Sequence, residues 1–224
     1  MRKLFDLFMN NFIARINWVS IKYLLTGREY NLTDLDRDKI MQVLCDNNCI
    51  ILTWKNTHLT SYLISLSYFL ITLGEWIESA AYGQKGNKPR FGKWAHACFN
   101  GESGEDPKTI RIREATGSGV HESRFEEIFN CDSVLLLVPA GFHKSDWDKA
   151  NEISKSMLGR KYDTIFDYQD DRELSCVEYV YDAMERVRPG EFTNLLRLIE
   201  DYKTIHPDML ADCGDFHPLL LIER

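Results

Sequence analysis

The sequence has no excess of positive charge. Lys and Arg number 27 against 34 Asp and Glu, which gives a net charge of −7. Such a chain repels the phosphates of nucleic acid and the anionic leaflet of a membrane. We therefore expect no nucleic-acid partner.

Long uninterrupted apolar runs are also missing, and no secretory leader is expected. The segment 59–82 is apolar but is broken by several polar residues, so it falls short of the roughly 20 apolar residues that span a bilayer. It predicts a core helix, and no transmembrane segment is expected. The first residues lack the basic, apolar and small-residue order of a signal peptide. We expect a cytoplasmic protein as synthesised, or a virion-associated one if the source is a phage.

Cysteine is present but scattered, and its spacing is not that of a metal site. Cys45 and Cys49 are spaced C-x₃-C, and His96 and Cys98 form H-x-C, but no second well-spaced pair joins them. We expect reduced thiols, no bound metal and no cofactor.

The 224 residues are 44% hydrophobic, which suits one domain with elaborations. Residues 1–34 carry apolar side chains at helical spacing and predict an amphipathic helix, which either docks on a partner or membrane surface or packs on its own core. Residues 35–187 form the predicted domain. Residues 188–224 are expected to be a helical or irregular extension packed on it.

The pattern of strands and helices predicts an α+β fold in which a small antiparallel sheet packs against helices. The expected strands are 49–54, 93–100, 108–114 and 133–138, and the expected helices lie near 35–46, 122–129, 145–157 and 175–187.

The hairpin formed by 93–100 and 108–114 brings two polar residues together. Glu114 shares the apolar face of its strand with Ile110 and Ile112, while the two arginines between them point the other way. With the loop centred near residue 105, His96 falls opposite Glu114 and within reach of a hydrogen bond. A register shift of one residue would undo this pairing.

Cys176 falls in the first turn of the predicted helix 175–187. A helix N-terminus favours negative charge, and a neighbouring imidazolium adds to that effect. Such an arrangement makes a cysteine nucleophilic. The alternative is that Cys176 is a small buried hydrophobic residue.

Four segments carry a family resemblance: Trp94-Ala-His-Ala, Glu114-Ala-Thr-Gly-Ser-Gly-Val120, Gly159-Arg-Lys-Tyr-Asp-Thr-Ile-Phe166 and Ser175-Cys-Val-Glu-Tyr-Val180. Together, and in this order, they resemble the circularly permuted branch of the NlpC-type papain-like superfamily, the YiiX-like proteins. In that branch the histidine precedes the cysteine, as it does here. The resemblance covers about residues 35–187 and implies a papain-like fold.

The resemblance also implies roles for individual residues. Cys176 would attack a carbonyl carbon, His96 would take and return the proton, and Glu114 would orient the imidazole. Tyr162 and Asp163, the Tyr-Asp pair before the nucleophile, would line the substrate groove.

The implied activity is hydrolysis of an amide bond through an acyl-thioenzyme, with peptidoglycan stem peptides as the first substrate class. The acidic run formed by Asp167, Asp170, Asp171 and Glu173 would favour amine-bearing substrates if it borders the cleft. Two alternatives stay open. One is a lipid acyl hydrolase or transferase, and the other is a virion or cell-envelope structural protein that retains the fold and docks through its N-terminal helix.

Overall fold

The computed structural model describes residues 32–54, 94–102, 109–129, 131–163, 173–202 and 205–223. The predicted N-terminal amphipathic helix, the predicted core helix 59–82 and most of the acidic run before Cys176 lie outside these residues. In the part of the chain that is described, no helix is both long enough and apolar enough to cross a membrane.

Within the described residues, six strands form one antiparallel sheet. They are β1 (Ile50–Trp54), β2 (His96–Glu102), β3 (Arg111–Thr116), β4 (Gly119–Ser123), β5 (Ser133–Pro139) and β6 (Phe216–Glu223). Their spatial order is β4-β3-β2-β1-β5-β6. Each strand therefore pairs with the next one in sequence, except that β4 and β5 lie apart and β5 pairs with β1 instead.

Six helices accompany the sheet within the described ranges. They are α1 (Asp34–Asp46), α2 (Phe125–Ile128), α3 (Lys144–Ser156), α4 (Cys176–Val187), α5 (Thr193–Tyr202) and α6 (Pro207–Asp212). The predicted α+β fold, with an antiparallel sheet packed on helices, is confirmed.

The sheet is covered on both faces. On one face Ile50 and Leu52 of β1 join a core that contains Val177 and Val180 of α4. On the other face Ile51 packs in a second core with the residues that α1 and α2 bury. Since both faces of β1 are buried, its sequence is a continuous apolar run rather than an alternating one.

The predicted helix near 122–129 begins too early. Residues Gly119–Ser123 instead form β4, which pairs with β3 from Thr116↔Gly119 to Ile112↔Ser123. Only Phe125–Ile128 is helical. The strand is short and mostly polar, so its conformation depends on hydrogen bonding to β3 rather than on a recognisable local pattern.

The C-terminal segment is more than a helical or irregular extension. Residues Phe216–Glu223 pair with β5 and form an edge of the sheet, with a register shift between Leu136 and Leu137. Pro218 lies at this shift, and proline in a sheet is confined to edges and bulges. The proline conceals the strand in the sequence.

The same segment also contacts the strand that carries His96. The Asp208 carboxylate of α6 accepts a hydrogen bond of 3.2 Å from the backbone N–H of Trp94, just before β2. Met209 and Leu210 join the core that contains Trp94 and Val177. Residues beyond 187 therefore help to hold the end of β2.

Candidate active site

Cys176 is the first residue of α4. A capping box defines this helix start: the Ser175 hydroxyl accepts from the Glu178 N–H, and the Glu178 carboxylate accepts from the Ser175 N–H at 2.7 Å. The box does not use the N–H of Cys176, which therefore stays available at the N-terminus of the helix. The Cys176 side chain is 3% exposed.

His96 begins β2 and is hydrogen-bonded to Glu114. The His96 Nε2 to Glu114 Oε2 distance is 2.6 Å, so the predicted hydrogen bond is present. The predicted register is wrong, because Cys98 rather than His96 lies opposite Glu114. A shift of two residues keeps His96 on the same face of the sheet, and diagonal neighbours are within reach of long side chains.

Cys176 is a neighbour of the His96 ring, and its thiol acts on the pKa of that ring together with Glu114. Because Nε2 of His96 is bonded to Glu114, Nδ1 is the ring nitrogen left for another partner. Burial alone would lower the pKa of His96, but the hydrogen bonds to Cys176 and Glu114 outweigh it and raise that pKa to about 10. The imidazole is thus held as a strong base between a thiol and a carboxylate.

Glu114 has partners on both carboxylate oxygens. The Ser123 hydroxyl donates a short hydrogen bond to Oε1, and His121 Nε2 is 3.5 Å from the same oxygen. Burial alone would raise the pKa of Glu114, but the hydrogen bonds from His96 and Ser123 hold it below its ordinary value. The carboxylate is therefore kept ionised although it is largely buried from solvent.

The sequence does not single out Ser123 and His121, because His121 lies just before the predicted helix 122–129 and Ser123 lies within it. In a strand next to β3, His121 lies opposite Glu114 and Ser123 lies opposite Ile112. Val120 and Ser123 are buried, whereas His121 and Glu122 between them are not, so the segment lacks the period-two alternation that would mark a strand.

The alternation with Glu114 suggested that Arg113 points to solvent, but it does not. Its side chain is fully buried. It forms an ion pair of 3.0 Å with Glu122 and donates to Asn151 Oδ1 at 2.8 Å and to Ser154 Oγ at 2.9 Å. Because α3 covers this face of β3, the outward arginine became a buried link between β4, β3 and α3.

A short segment before the nucleophile is fastened to β4. The Val120 N–H donates to the Arg160 carbonyl at 2.9 Å, and the Gly159 N–H donates to the Val120 carbonyl at 2.8 Å. Lys161 forms an isolated bridge with Glu173, and the Leu174 N–H donates to the Lys161 carbonyl at 3.0 Å. Three of the four resembling segments are thereby joined.

Tyr162 follows this segment and lies beside Cys176. Burial, together with Cys176 and Asp163 nearby, raises the pKa of the Tyr162 hydroxyl, so it remains a proton donor at neutral pH. Tyr162 is partly exposed, whereas Asp163 is buried. Of the two residues predicted to bind substrate, Tyr162 is the one placed at the thiol. Of the acidic run, Glu173 alone is within the described residues.

No protein-family model and no curated protein matches this chain. Among solved structures, YiiX from Escherichia coli O157:H7, described as a metalloprotein (DUF1105), matches 80% of this chain and 98% of its own, with a TM-score of 0.52 and 14% identity. The match shows a shared YiiX-like fold. It does not extend to activity, because the identity is low.

YiiX is described as a metalloprotein, but the described residues of this chain do not form a metal centre. Within these ranges, no three His, Cys, Asp or Glu side chains are grouped so as to hold a metal ion. Cys49 and Cys98, two members of the spaced pairs in the sequence, are buried, and burial raises the pKa of both thiols.

Proposed function

We propose that this chain is a papain-like cysteine hydrolase that cleaves an amide bond through an acyl-thioenzyme. One observation carries the proposal: Cys176, at a helix N-terminus, neighbours His96, and His96 Nε2 is 2.6 Å from Glu114 Oε2. A nucleophile, a base and a group that orients the base are thus in contact.

The proposed proton transfers use these three residues. His96 takes the thiol proton through Nδ1 while Glu114, bonded to Nε2, stabilises the imidazolium. The Cys176 sulfur attacks the carbonyl carbon, and the Cys176 N–H is placed to donate to the oxygen that becomes negative. His96 then gives the proton to the leaving amine, and the thioester remains. Water, deprotonated by His96, attacks the thioester and regenerates the thiol.

A comparison with Cys98 supports the assignment of Cys176. Cys98 lies opposite Glu114 in the hairpin, but it is fully buried, and burial raises the pKa of its thiol well above the ordinary value. Its sulfur donates to the Ile51 carbonyl. Cys98 is therefore a packing residue, whereas Cys176 has the imidazole and the helix N-terminus.

The proposed substrate class is the peptidoglycan stem peptide, and it rests on the resemblance of the four segments to the permuted NlpC-type branch. A lipid acyl hydrolase or transferase would use the same catalytic groups on an ester or amide of a fatty acid. A structural protein that retains the fold would not need a base held against Cys176, so the contact between His96 and Cys176 favours an enzyme.

Alkylation by iodoacetamide tests the proposal without knowledge of the substrate. The rate at each cysteine is measured by peptide mass spectrometry at pH 6, with the half-buried Cys213 as the internal reference. We expect Cys176 to react at least about tenfold faster than free cysteine at this pH, because a base beside the thiol and the helix N-terminus make the sulfur nucleophilic. An alkylation rate at Cys176 no higher than that of free cysteine would contradict the proposal that this chain is a thiol hydrolase.

Turnover then separates the substrate classes. Purified protein is assayed with amine-bearing muropeptides and with a neutral lipid ester over a salt series. A peptidase with the acidic run at its cleft should prefer the muropeptides, with a KM that rises as salt screens the charges over about 8 Å. Faster cleavage of the ester, with no salt effect, would favour the acyl-lipid alternative.

A further inference from the structure

Glu114 is a flexible side chain that must present one oxygen to His96. The terminal torsion of a glutamate has broad energy minima, so the chain alone does not fix the plane of the carboxylate. The bond to His96 holds Oε2. The orientation of the carboxylate therefore also depends on what holds Oε1.

Two β4 residues approach Oε1, and they do so unequally. The hydroxyl of Ser123, which is buried, donates directly to Oε1. His121 Nε2 is 3.5 Å away, and its side chain is 37% exposed. Charge-assisted N–H···O hydrogen bonds are usually about 2.7–2.9 Å. Ser123 is thus the partner that fixes this oxygen.

The titratable groups that face Glu114 come from two strands. His96 and Cys98 face it from β2, and His121 faces it from β4. Cys176 of α4 contacts it through His96. Ser123, which also contacts Glu114, does not titrate. Its hydrogen bond to Glu114 therefore persists across the pH range in which these neighbours change charge.

We infer that Ser123 is a positioning residue of the catalytic site: it anchors Oε1 of Glu114 so that Oε2 stays directed at His96. This inference rests on the proposed function, since it adds a fourth residue to the catalytic group formed by Cys176, His96 and Glu114. Ser123 does not touch substrate in this scheme. It acts through the carboxylate, which must be both ionised and correctly oriented to stabilise the imidazolium.

The test measures alkylation of Cys176 by iodoacetamide between pH 4 and pH 8 in the full chain. In Ser123→Ala, Glu114 loses a donor that favours its ionised form, so it protonates at a higher pH as the solution is acidified. We expect the acid limb of the Cys176 profile to move to higher pH and the rate at pH 5 to fall about tenfold, the usual effect of losing one hydrogen bond to a charged group.

The matched control is Ser156→Ala. Ser156 is an exposed serine of α3 whose hydroxyl donates to the Ile153 carbonyl at 2.6 Å. The substitution Ser156→Ala removes a serine hydroxyl that lies away from the site. We therefore expect its pH profile of Cys176 alkylation to match that of the wild type. If Ser123→Ala does not fold, Ser123→Cys keeps the shape and weakens the donor, and the acid limb should move in the same direction. Peptide mapping separates the two alkylated positions.

A double-mutant cycle decides whether Ser123 acts through Glu114. In a Glu114→Ala background, Ser123→Ala should cause no further loss of reactivity at Cys176. An equal loss in both backgrounds would show a general structural effect and overturn the inference, as would a wild-type profile in Ser123→Ala. If wild-type Cys176 reacts no faster than free cysteine, the proposed function fails instead. Fast wild-type alkylation that Ser123→Ala leaves unchanged removes the inference alone.

Discussion

The guanidinium group of Arg113 occupies the space where a side chain on Gly101 would lie. A Cβ atom on Gly101 would be 2.6 Å from Arg113 Cζ and Nη1, a distance that packed atoms do not reach. Because Arg113 is fixed by Glu122, Asn151 and Ser154, it cannot easily move aside. Gly101 of β2 and Arg113 of β3 therefore pack as a pair, and Arg113 directly precedes Glu114 in the sequence.

Substitutions at this pair should be coupled. Arg113→Ala should cost about 3 kcal/mol of unfolding free energy, since it leaves a cavity and removes donors from buried oxygens. Gly101→Ala should cost about 1–3 kcal/mol in the wild type through overpacking. Denaturant unfolding of both single variants and the double variant measures the coupling. The cost of Gly101→Ala should shrink in the Arg113→Ala background, and full additivity would contradict this packing.

Cys176→Ala should abolish hydrolysis and leave the fold intact. The substitution deletes the proposed nucleophile but removes only one buried atom, so the loss of unfolding free energy should be about 1 kcal/mol or less. Turnover and thermal unfolding are measured on the same preparations, with Cys213→Ala as the matched cysteine substitution. Residual turnover in pure Cys176→Ala protein would end the assignment of the nucleophile.

The two partners of the nucleophile should differ in importance. His96→Ala removes the base and should slow hydrolysis within the ~10²–10⁴-fold range of general acid–base catalysis. Glu114→Gln should slow it less, because an amide still holds the ring but cannot stabilise its positive charge. The values of kcat/KM for the two variants give the order. Equal rates for wild type and Glu114→Gln would exclude Glu114 from the site.

The interactions of His96 with Cys176 and Glu114 should make stability depend on pH. The pKa of His96 rises from 6.5 to about 10 on folding, so its contribution is complete below pH 6.5 and is lost as the pH rises toward 10. The pKa of Glu114 falls below 4.5 on folding, so its contribution is present above pH 4.5 and is lost in acid. Thermal unfolding from pH 3 to pH 10 should show the largest advantage of wild type over Glu114→Gln between pH 4.5 and pH 6.5. A constant advantage would contradict these shifts.

The bond between His96 and Glu114 was predictable from the sequence even though the register was not. The sequence places both residues on one face of a hairpin, and a shift of two residues preserves the face. The structure has a register irregularity between Asn100 and Glu102. An estimate of the register from the centre of the loop cannot include such a bulge.

Tertiary contacts explain what the sequence did not predict. An arginine in a strand is usually exposed, and nothing local shows that α3 will cover Arg113. Ser123 and His121 are significant only because β4 pairs with β3. The helix start at Cys176 was predictable, since the capping box is a local signal, but the contact between Cys176 and His96 required the whole sheet.

The last prediction concerns Gly119, which joins β4 to the segment that carries Tyr162. Gly119 has φ +97°, and a Cβ atom there would be 2.5 Å from the Arg160 carbonyl oxygen. Gly119→Ala should therefore strain the backbone by about 1–3 kcal/mol and push Arg160 away, which moves Tyr162 relative to Cys176. A misplacement of this size should lower kcat/KM about 10- to 100-fold.

Gly117, two residues away in the same turn, supplies the matched control. A Cβ atom on Gly117 would meet no described atom within 4 Å, so Gly117→Ala should retain wild-type kcat/KM and wild-type alkylation at Cys176. Thermal unfolding and kcat/KM are compared for the two variants at the same pH. If Gly119→Ala and Gly117→Ala have equal activity, the contact between Gly119 and Arg160 does not position Tyr162. The turn would then matter only for the pairing of β3 and β4.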